Sequence, residues 1–419
     1  MSSEVLKSLT STSRGYWVAL ALIILGLAGW LYAWIVQLSN GLVVTGLRDL
    51  GIGSPWGIYI SNFIWWIGIA HGGIAIAAIV YLLDLEEYKP LVRIGEVVTV
   101  LALTMAGLSV LFDLGRPDRV QNLIIYWLDR IGYSPFTWDI TAIFLYLSLS
   151  IVFLWLTLRR DLAYLNEHHP RFRWLYNILL IGYRDGEEDK IRVIAKWLAI
   201  GIIYLLLSGG IIPWIFGLIS ARPGWYGVHQ GPYFLTAAVI SAVAVMIFIT
   251  GLLRRIYKWD KIISPRLIRG LSNFLAVLIV FYFWFILHEL LTMSYAPLSP
   301  EYIVGEAILF GDLAPLFWLY TFILAISFIY LSLQALNERY FNINLAILVS
   351  GLVLIALWIK RVIIVISPFT HPGLQYPGGI YIPTFIEAYI TFGTILIFIL
   401  GLMIFMKLFP IIPLEVEKA

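Results

Sequence analysis

The chain has 419 residues, of which 61% are hydrophobic and only 13% are charged, and its formal net charge is +3. Its mean hydropathy of +0.90 excludes an ordinary soluble domain, because apolar runs of about 20 residues, the length that spans a bilayer, recur along the chain. The sequence has no cysteine, which excludes disulfides, thiolate zinc sites and cysteine-ligated iron–sulfur clusters within this chain.

The apolar runs predict an all-α polytopic membrane protein with about ten transmembrane helices in a single integral membrane domain, residues 1–419. The first run, Tyr16 to Val36, is too long for a signal peptide. A charged stretch at 160–194 is predicted to be a solvated connection. The predicted spans lie at about 16–39, 59–83, 93–113, 137–159, 195–219, 232–253, 271–293, 313–335, 343–366 and 384–408.

Similar residues open the second and the sixth span, Ser54 to Tyr59 and Gly231 to Phe234. Four spans separate the two openings, an even number, so a duplicated unit would keep its orientation in the membrane. We therefore expect two four-helix bundles, at about 59–219 and 232–366, with flanking helices at about 16–39 and 384–408.

The distribution of Lys and Arg predicts the orientation. The N-terminus, the loops after even-numbered spans and the C-terminal end hold 21 of the 28, whereas the loops after odd-numbered spans hold seven, counting Lys360 and Arg361 near the end of the ninth span. Under the positive-inside rule both termini are cytoplasmic. We call the opposite side the predicted outer face. Its loops are rich in Pro, Gly and aromatic residues.

A histidine lies near the middle of the second span. His71 is about 12 residues, hence ~18 Å, below the outer start of that helix. An ionisable side chain at this depth is expensive and indicates a functional or cavity-lining position, although a neutral imidazole bonded between packed helices is the structural alternative. Asn62 is half a turn out of phase with His71 and is expected on the opposite side of the helix.

Acidic residues mark both ends of the third span and the start of the fourth. Glu96 and Asp113 are separated by ~25 Å of helical rise, so they belong to opposite membrane faces. Asp139 begins the fourth span, where an acid also favours the helix dipole. Arg116 is expected to snorkel or to pair with Asp113 or Asp139.

In the second half, charged residues lie near one depth, which suggests mutual ion pairing: His288, Glu289, Lys360, Arg361 and Glu387. Of the histidines, only His71 and His288 lie in predicted spans, and they differ in depth by about two helical turns, which argues against bis-histidine haem ligation. We expect no haem, metal or iron–sulfur cluster in this chain and no nucleic-acid partner.

Several stretches resemble the NrfD/PsrC family, the membrane subunits of polysulphide-reductase-like and other molybdopterin complexes and of alternative complex III. The order and spacing of these stretches carry the resemblance across most of the chain. They are Pro55 to Tyr59, Gly68 to Gly73, Asp113 to Pro117, Trp138-Asp139, Ala221 to Pro223, Trp358 to Arg361 with Ser367-Pro368, Tyr381 to Glu387 and Lys407 to Pro410. The chain departs from the polysulphide reductase branch at Trp65 and at Ser208-Gly209-Gly210.

The resemblance implies a subunit that handles quinone or quinol as substrate in the first bundle, near the outer face. It implies an outer iron–sulfur, ferredoxin-like partner, and beyond it a molybdopterin catalytic subunit or a cytochrome. Carried over by motif, the quinone-site or proton-transfer candidates are His71, Asp113, Arg116 and Asp139, with Asn62 as a further one.

The leading hypothesis is therefore a quinone-interacting membrane subunit of a respiratory oxidoreductase complex in the plasma membrane. Asp113 and Asp139 would exchange protons at the outer end, and Arg116 would hold an acid ionised or contact a quinone oxygen. His71 and Glu96 would continue a proton route towards the cytoplasm. A secondary transporter and a passive membrane anchor are the alternatives.

Overall fold

The computed structural model describes residues 2–49, 53–81, 85–168, 170–184, 186–209, 211–219, 222–225, 227, 229–297, 299–373 and 379–414. Gly210 and Ala221 of the motifs above, and the end of the second predicted span at 82–83, lie outside these residues.

Eight unbroken helices in the described part of the chain are long and apolar enough to cross a membrane. They confirm the all-α polytopic fold and lie close to eight of the ten predicted spans. They are α2 (Arg14–Asn40), α5 (Lys89–Asp113), α8 (Pro135–His168), α12 (Gln230–Tyr257), α13 (Pro265–Tyr295), α15 (Ala314–Leu336), α16 (Ile343–Thr370) and α17 (Phe385–Leu408).

The second predicted span is divided between two helices, α3 (Ile58–Ala70) and α4 (Gly72–Tyr81), where the sequence predicted one continuous span. In the fifth, α10 (Glu188–Gly209) and α11 (Ile211–Leu218) lie on either side of Gly210, which is outside the described residues. Short helices complete the set, namely α1 (Ser2–Thr10), α6 (Asn122–Ile125), α7 (Trp127–Arg130), α9 (Arg173–Leu179) and α14 (Pro300–Leu309).

Two predicted connections between spans are helical in part. In the charged stretch 160–194, α8 continues to His168, α9 follows, and α10 begins at Glu188. Charged side chains near the helix ends form ion pairs there, as Arg159 Nε does with Glu187 Oε1 at 2.9 Å. The many charges of this stretch are therefore compatible with helical structure. The outer connection at 293–312 likewise contains α14.

Helix starts follow the capping chemistry of the sequence. Ser264 precedes Pro265 and its hydroxyl accepts from the Leu267 amide, and Thr384 accepts in the same way from the Glu387 amide. A side-chain oxygen at this position satisfies one of the free amides of the first turn, and proline is favoured at the first helical position. These caps fix where α13 and α17 begin.

The long helices form two groups of neighbours. In the first, α3 and α4 pack on α5, α5 on α8, and α8 on α10; in the second, α12, α13, α15 and α16 pack on one another. The flanking helices α2 and α17 contact each other, and α17 also packs on α5. Helix α3 touches both α12 and α16, so it lies at the junction of the two groups.

Glycine permits the closest approach within the first group. A Cβ at Gly95 would lie 2.7 Å from the Cα of Gly73, and a Cβ at Gly73 would lie 2.9 Å from the carbonyl carbon of Gly95. Any larger side chain at either position would force the backbones of α4 and α5 apart. Gly73 and Gly95 therefore set the spacing of α4 and α5.

Candidate functional site

A cavity of about 580 Å³ opens between the end of α2 and the turn that follows α5. Its polar groups are the carboxamide of Gln37 on α2 and the charged side chains of Arg116 and Asp118 in the turn. The full lining is Trp34, Gln37, Leu38, Gly41 and Leu42 from α2 and the residues after it, and Leu114, Gly115, Arg116, Pro117 and Asp118 from the turn. The cavity therefore combines apolar walls with a small number of polar groups, as ligand sites do.

The polar back wall of the cavity is built by Gln37, which is only 3% exposed. Its Nε2 donates to the Phe112 carbonyl at 2.8 Å, and its Oε1 accepts from the Tyr59 hydroxyl at 2.6 Å. These bonds hold the carboxamide in one orientation. They leave it one N–H and one lone pair for another partner.

Behind this wall, Asp113 ends α5. One of its carboxylate oxygens is buried and has no hydrogen-bond partner in the part of the chain that the structure describes. Asp113 and Tyr59 both interact electrostatically with Glu387 at the start of α17. The two carboxyl groups therefore lie near one another beside the cavity.

Glu387 is held by partners from other segments. It accepts from the Gly46 amide at 2.8 Å and from the Tyr381 hydroxyl at 2.5 Å, and that hydroxyl accepts from the Ile58 amide at 2.8 Å. Burial, reinforced by Glu387, raises the pKa of Tyr381 far above its ordinary value. Tyr381 is therefore a neutral donor at every physiological pH. The expected pairing of Glu387 with Lys360 or Arg361 is not what holds it.

His71 lies at the break between α3 and α4. Its Nδ1 is 2.5 Å from the Ile67 carbonyl oxygen, its ring packs edge-on against Tyr146 with centroids 6.2 Å apart, and it is 8% exposed. The guanidinium of Arg361, from the second group of helices, acts on it electrostatically. His71 is not among the residues that line the cavity.

The backbone groups freed by the break are bonded to neighbouring helices. The Ala70 carbonyl accepts from Thr99 Oγ1 at 2.7 Å and from the Tyr146 hydroxyl at 2.8 Å, and the Gly73 amide donates to Thr99 Oγ1 at 3.1 Å. Irregular backbone at membrane depth is tolerated only with such internal partners. One turn below, Glu96 is 3% exposed and interacts electrostatically with Tyr146.

Arg116 pairs with a residue that the sequence analysis did not consider. Its Nε and Nη2 donate to the two carboxylate oxygens of Asp118 at 2.9 and 2.8 Å, so the expected pairing with Asp113 or Asp139 was wrong. The reason is local: Asp118 follows Arg116 by two residues in the tight turn after α5, and this turn brings the two side chains together. The hydrogen bonds from Arg116 lower the pKa of Asp118, which keeps this pair ionised at neutral pH.

Asn62 and Asp139 lie apart from these groups. Asn62 Nδ2 donates to Ser109 Oγ at 3.0 Å and to Thr394 Oγ1 at 3.1 Å, so it joins α3 to α5 and α17 on a side different from that of His71, as its helical phase predicted. Asp139 lies in the first turns of α8 with one buried oxygen that has no partner among the described residues. The contacts do not bring Asp139 to the cavity.

Sequence reasoning missed Gln37, Tyr59, Tyr146 and the position of Glu387. A signal for Gln37 was present, since it is a carboxamide near the end of an apolar span, where polar residues are functional candidates. The two tyrosines gave no such signal, because aromatic residues are common throughout this chain.

Fold and site together define a multi-pass helical membrane protein with a ligand-sized cavity at one end of its first helix group. Residues 49–372 match the model of the family described as polysulphide reductase, NrfD. The chain belongs to this family, as the motif resemblance predicted.

Three relatives are similar to this chain over long stretches. A putative dimethyl sulfoxide reductase membrane subunit of Halobacterium salinarum is 27% identical over 97% of this chain and 93% of its own length. A selenate reductase subunit of Mesobacillus selenatarsenatis is 27% identical over 68% of this chain and 67% of its own. An Hdr-like menaquinol oxidoreductase integral membrane subunit of Archaeoglobus fulgidus is 24% identical over 65% and 60%, respectively.

Proposed function

We propose that this chain is the quinone-interacting membrane subunit of a respiratory oxidoreductase complex. Family membership and the names of the relatives support a membrane subunit of such a complex. One relative's name specifies menaquinol, which favours quinol or quinone as the substrate here. The complex is then in the plasma membrane with both termini of this chain in the cytoplasm, following the Lys and Arg distribution.

The cavity carries the proposal because its chemistry suits a quinone ring. The walls offer the indole of Trp34 and the side chains of Leu38 and Leu42 for the apolar faces, while the free N–H of Gln37 is a donor for a carbonyl oxygen. Arg116 at the rim is a second donor. Helix α2 is largely exposed along its length, so a ligand with an isoprenoid tail can reach the cavity from the lipid.

Proton exchange beside the ring falls to this chain's own residues. Asp113 has a buried oxygen with no partner among the described residues and directly precedes the cavity residue Leu114. We assign to Asp113 the uptake or release of a proton at the quinone oxygen, and to Tyr59 and Gln37 the orientation of the polar wall. His71 and Glu96 lie deeper and are proposed to continue the route, and Asp139 to serve the outer end.

The electron-transfer partner is proposed to dock at the predicted outer face, as an iron–sulfur, ferredoxin-like subunit followed by a molybdopterin subunit or a cytochrome. The segment between α5 and α8 begins at the cavity rim and exposes large apolar side chains: Ile124 by 83%, Leu128 by 78% and Ile125 by 64%. A partner seated there would lie next to the ring of a quinone in the cavity.

The test is photolabelling of the complex, purified in mild detergent, with an azido-menaquinone. We expect labelled peptides from the end of α2 and from 114–118. Gln37→Leu should raise the Kd of the quinone about tenfold, as expected for one lost hydrogen bond. The control is Gln334→Leu: Gln334 is equally buried in a span but donates to Asn273, away from the cavity.

Label confined to other regions, together with unchanged affinity of the Gln37→Leu variant, would overturn the assignment of the site. Absence of quinone binding combined with solute flux through the reconstituted chain would instead favour a secondary transporter, in which broken helices such as α3–α4 also occur.

A further inference from the structure

A second set of buried ionisable side chains lies within α12, α13, α15 and α16, away from the cavity. Six side chains there are no more than 4% exposed, namely Tyr233, Tyr282, Glu289, Tyr320, Lys360 and Arg361. The proposed quinone chemistry uses none of them. Ionisable groups are expensive inside a membrane and persist mainly where they have a function. This buried cluster therefore indicates a second functional site.

Glu289 and Lys360 form the centre of the cluster. Lys360 Nζ donates to Glu289 Oε2 at 2.6 Å, and the Tyr233 hydroxyl donates to the same oxygen at 3.3 Å. The ammonium group also lies over the rings of Tyr233 and Tyr320, at 5.6 and 5.7 Å from their centroids. The ion pairing expected for Glu289 and Lys360 is thus confirmed, and it places a donor and an acceptor within direct proton-transfer distance.

The charges of the cluster are unequal. Lys360 and Arg361 are both basic, and among the described residues Glu289 is the carboxylate that pairs with Lys360. Arg361 packs over the Phe234 ring at 4.9 Å, and its guanidinium does not lose a proton in proteins. A proton exchanged within the cluster therefore belongs to the Lys360–Glu289 pair and not to Arg361.

Two hydroxyl groups in the cluster have poorly formed hydrogen bonds. The hydroxyls of Tyr282 and Tyr320 are buried without a hydrogen bond of good geometry in the described parts of the chain, and both residues are 0% exposed. Tyr282 interacts with Tyr233 and Arg361, and Tyr320 interacts with Thr321. Buried polar groups are nearly always well bonded, so such exceptions indicate a bound water or a second arrangement of the protons.

Two histidines lie in contact with each other near the outer end of the second helix group. His229 precedes α12, is half-buried, and has its ring centroid 5.4 Å from that of His288, which is exposed. Burial lowers the pKa of His229, and Glu289, His288 and Lys360 act on it electrostatically. His229 is therefore neutral at pH 7 and has a ring nitrogen that can accept a proton.

We propose that Glu289 and Lys360 form a proton-exchange site in the second helix group, connected through His229 and His288 to the predicted outer face. The Lys360 ammonium passes a proton to the Glu289 carboxylate, and the resulting carboxylic acid passes it to His229. No electron moves and each step exchanges one proton. Arg361 follows Lys360 directly in α16, so a permanently charged guanidinium adjoins the site.

The test is an infrared pH titration of the purified complex labelled with ¹³C-glutamate, which depends on no quinone chemistry. We expect a protonated-carboxyl band that grows as the pH falls, disappears in Glu289→Gln and has a shifted midpoint in Lys360→Met. His229→Ala combined with His288→Ala should slow the H/D exchange of this band by at least about tenfold. The matched control is Glu338→Gln: Glu338 also pairs with a basic residue, Arg269, at 3.1 Å, but is exposed.

If the titrating band of the wild type is unchanged in Glu289→Gln, the proposal is overturned, because Glu289 is then a fixed partner of Lys360. If Glu289→Gln does not assemble, the same titration is made on the double variant in which the two residues are exchanged, Glu289→Lys/Lys360→Glu. A titrating band retained in that variant supports the site, whereas an assembled variant without one contradicts it. Because these readouts need no quinone, they fail independently of the proposed function.

Discussion

At the scale of single residues, the histidine at the helix break and the carboxylate at the start of α8 are the candidates that contacts alone explain least. His71 has only its own helix as hydrogen-bond partner in the described residues, through the Ile67 carbonyl. Asp139 has a buried oxygen with no hydrogen-bond partner among the residues that the structure describes. A group that serves packing alone would gain from a full set of partners, so both are suited to an exchangeable proton.

Substitution of His71 by Ala and of Asp139 by Asn should lower quinol-linked turnover of the complex by about a hundredfold or more, the range of a lost proton-transfer group. Assembly should be unchanged. Stopped-flow oxidation of a quinol and size-exclusion chromatography measure the two properties.

The controls for these substitutions are His168→Ala and Asp129→Asn. His168 bonds the carbonyl four residues earlier, as His71 does, but it is exposed. Full turnover in both the His71 and the Asp139 variant would remove these residues from the mechanism, and a loss equal to that of the controls would do the same.

At the scale of elements, the break in the second span is the main departure from a simple bundle. The α3–α4 junction is held by hydroxyls of α5 and α8, through Thr99 and Tyr146, and the adjacent crossing of α4 and α5 has Gly73 against Gly95. The same few residues therefore fix both the position of His71 and the spacing of the first group.

Gly95→Ala should destabilise the protein by about 1–3 kcal/mol, because its Cβ would overlap the backbone of Gly73. Gly107→Ala, on the same helix, should be neutral or stabilising, because a Cβ there meets nothing within 4 Å and alanine has the higher helix propensity. Thermal unfolding of the complex, followed by size-exclusion chromatography, compares the two. Equal midpoints would show that the close crossing is not needed.

Much of this level of structure was predictable and some was not. Apolar length sufficed for the eight unbroken helices. The break at His71 was not predictable, because residues 59–83 form one apolar run and the partners that stabilise the break come from other helices. The Arg116–Asp118 pair was missed for the opposite reason, since it depends on one tight turn.

At the scale of the whole molecule, two polar sites lie in two helix groups that share a boundary. Helix α3 contacts α12 and α16, and Arg361 acts on His71 across that boundary. Cavity residues and Asp113, in contrast, come from α2, α5 and the segments beside them. The candidate site as a whole could not be predicted from the sequence, because Gln37, Asp113 and Glu387 are distant along the chain and meet only in the folded protein.

Partner docking is tested at the same scale. Ile124→Asp together with Leu128→Asp should weaken retention of the iron–sulfur subunit by at least about tenfold, because a charge would replace apolar contact at the centre of an interface. Co-purification followed by mass spectrometry measures this. Ile181→Asp, which changes an exposed isoleucine after α9, is the control, and unchanged retention in the double variant would place the partner elsewhere.

The exposure of α2 to the surrounding lipid has a practical consequence. Only 11% of the 18-residue apolar stretch of α2 is buried in the protein. Nevertheless, α2 supplies one wall of the cavity. The dimensions of that wall are then set in part by the lateral pressure of the surrounding acyl chains. Short-chain detergents and delipidation should therefore abolish ligand binding before they unfold the helices, and reconstitution into nanodiscs of matching thickness should restore it.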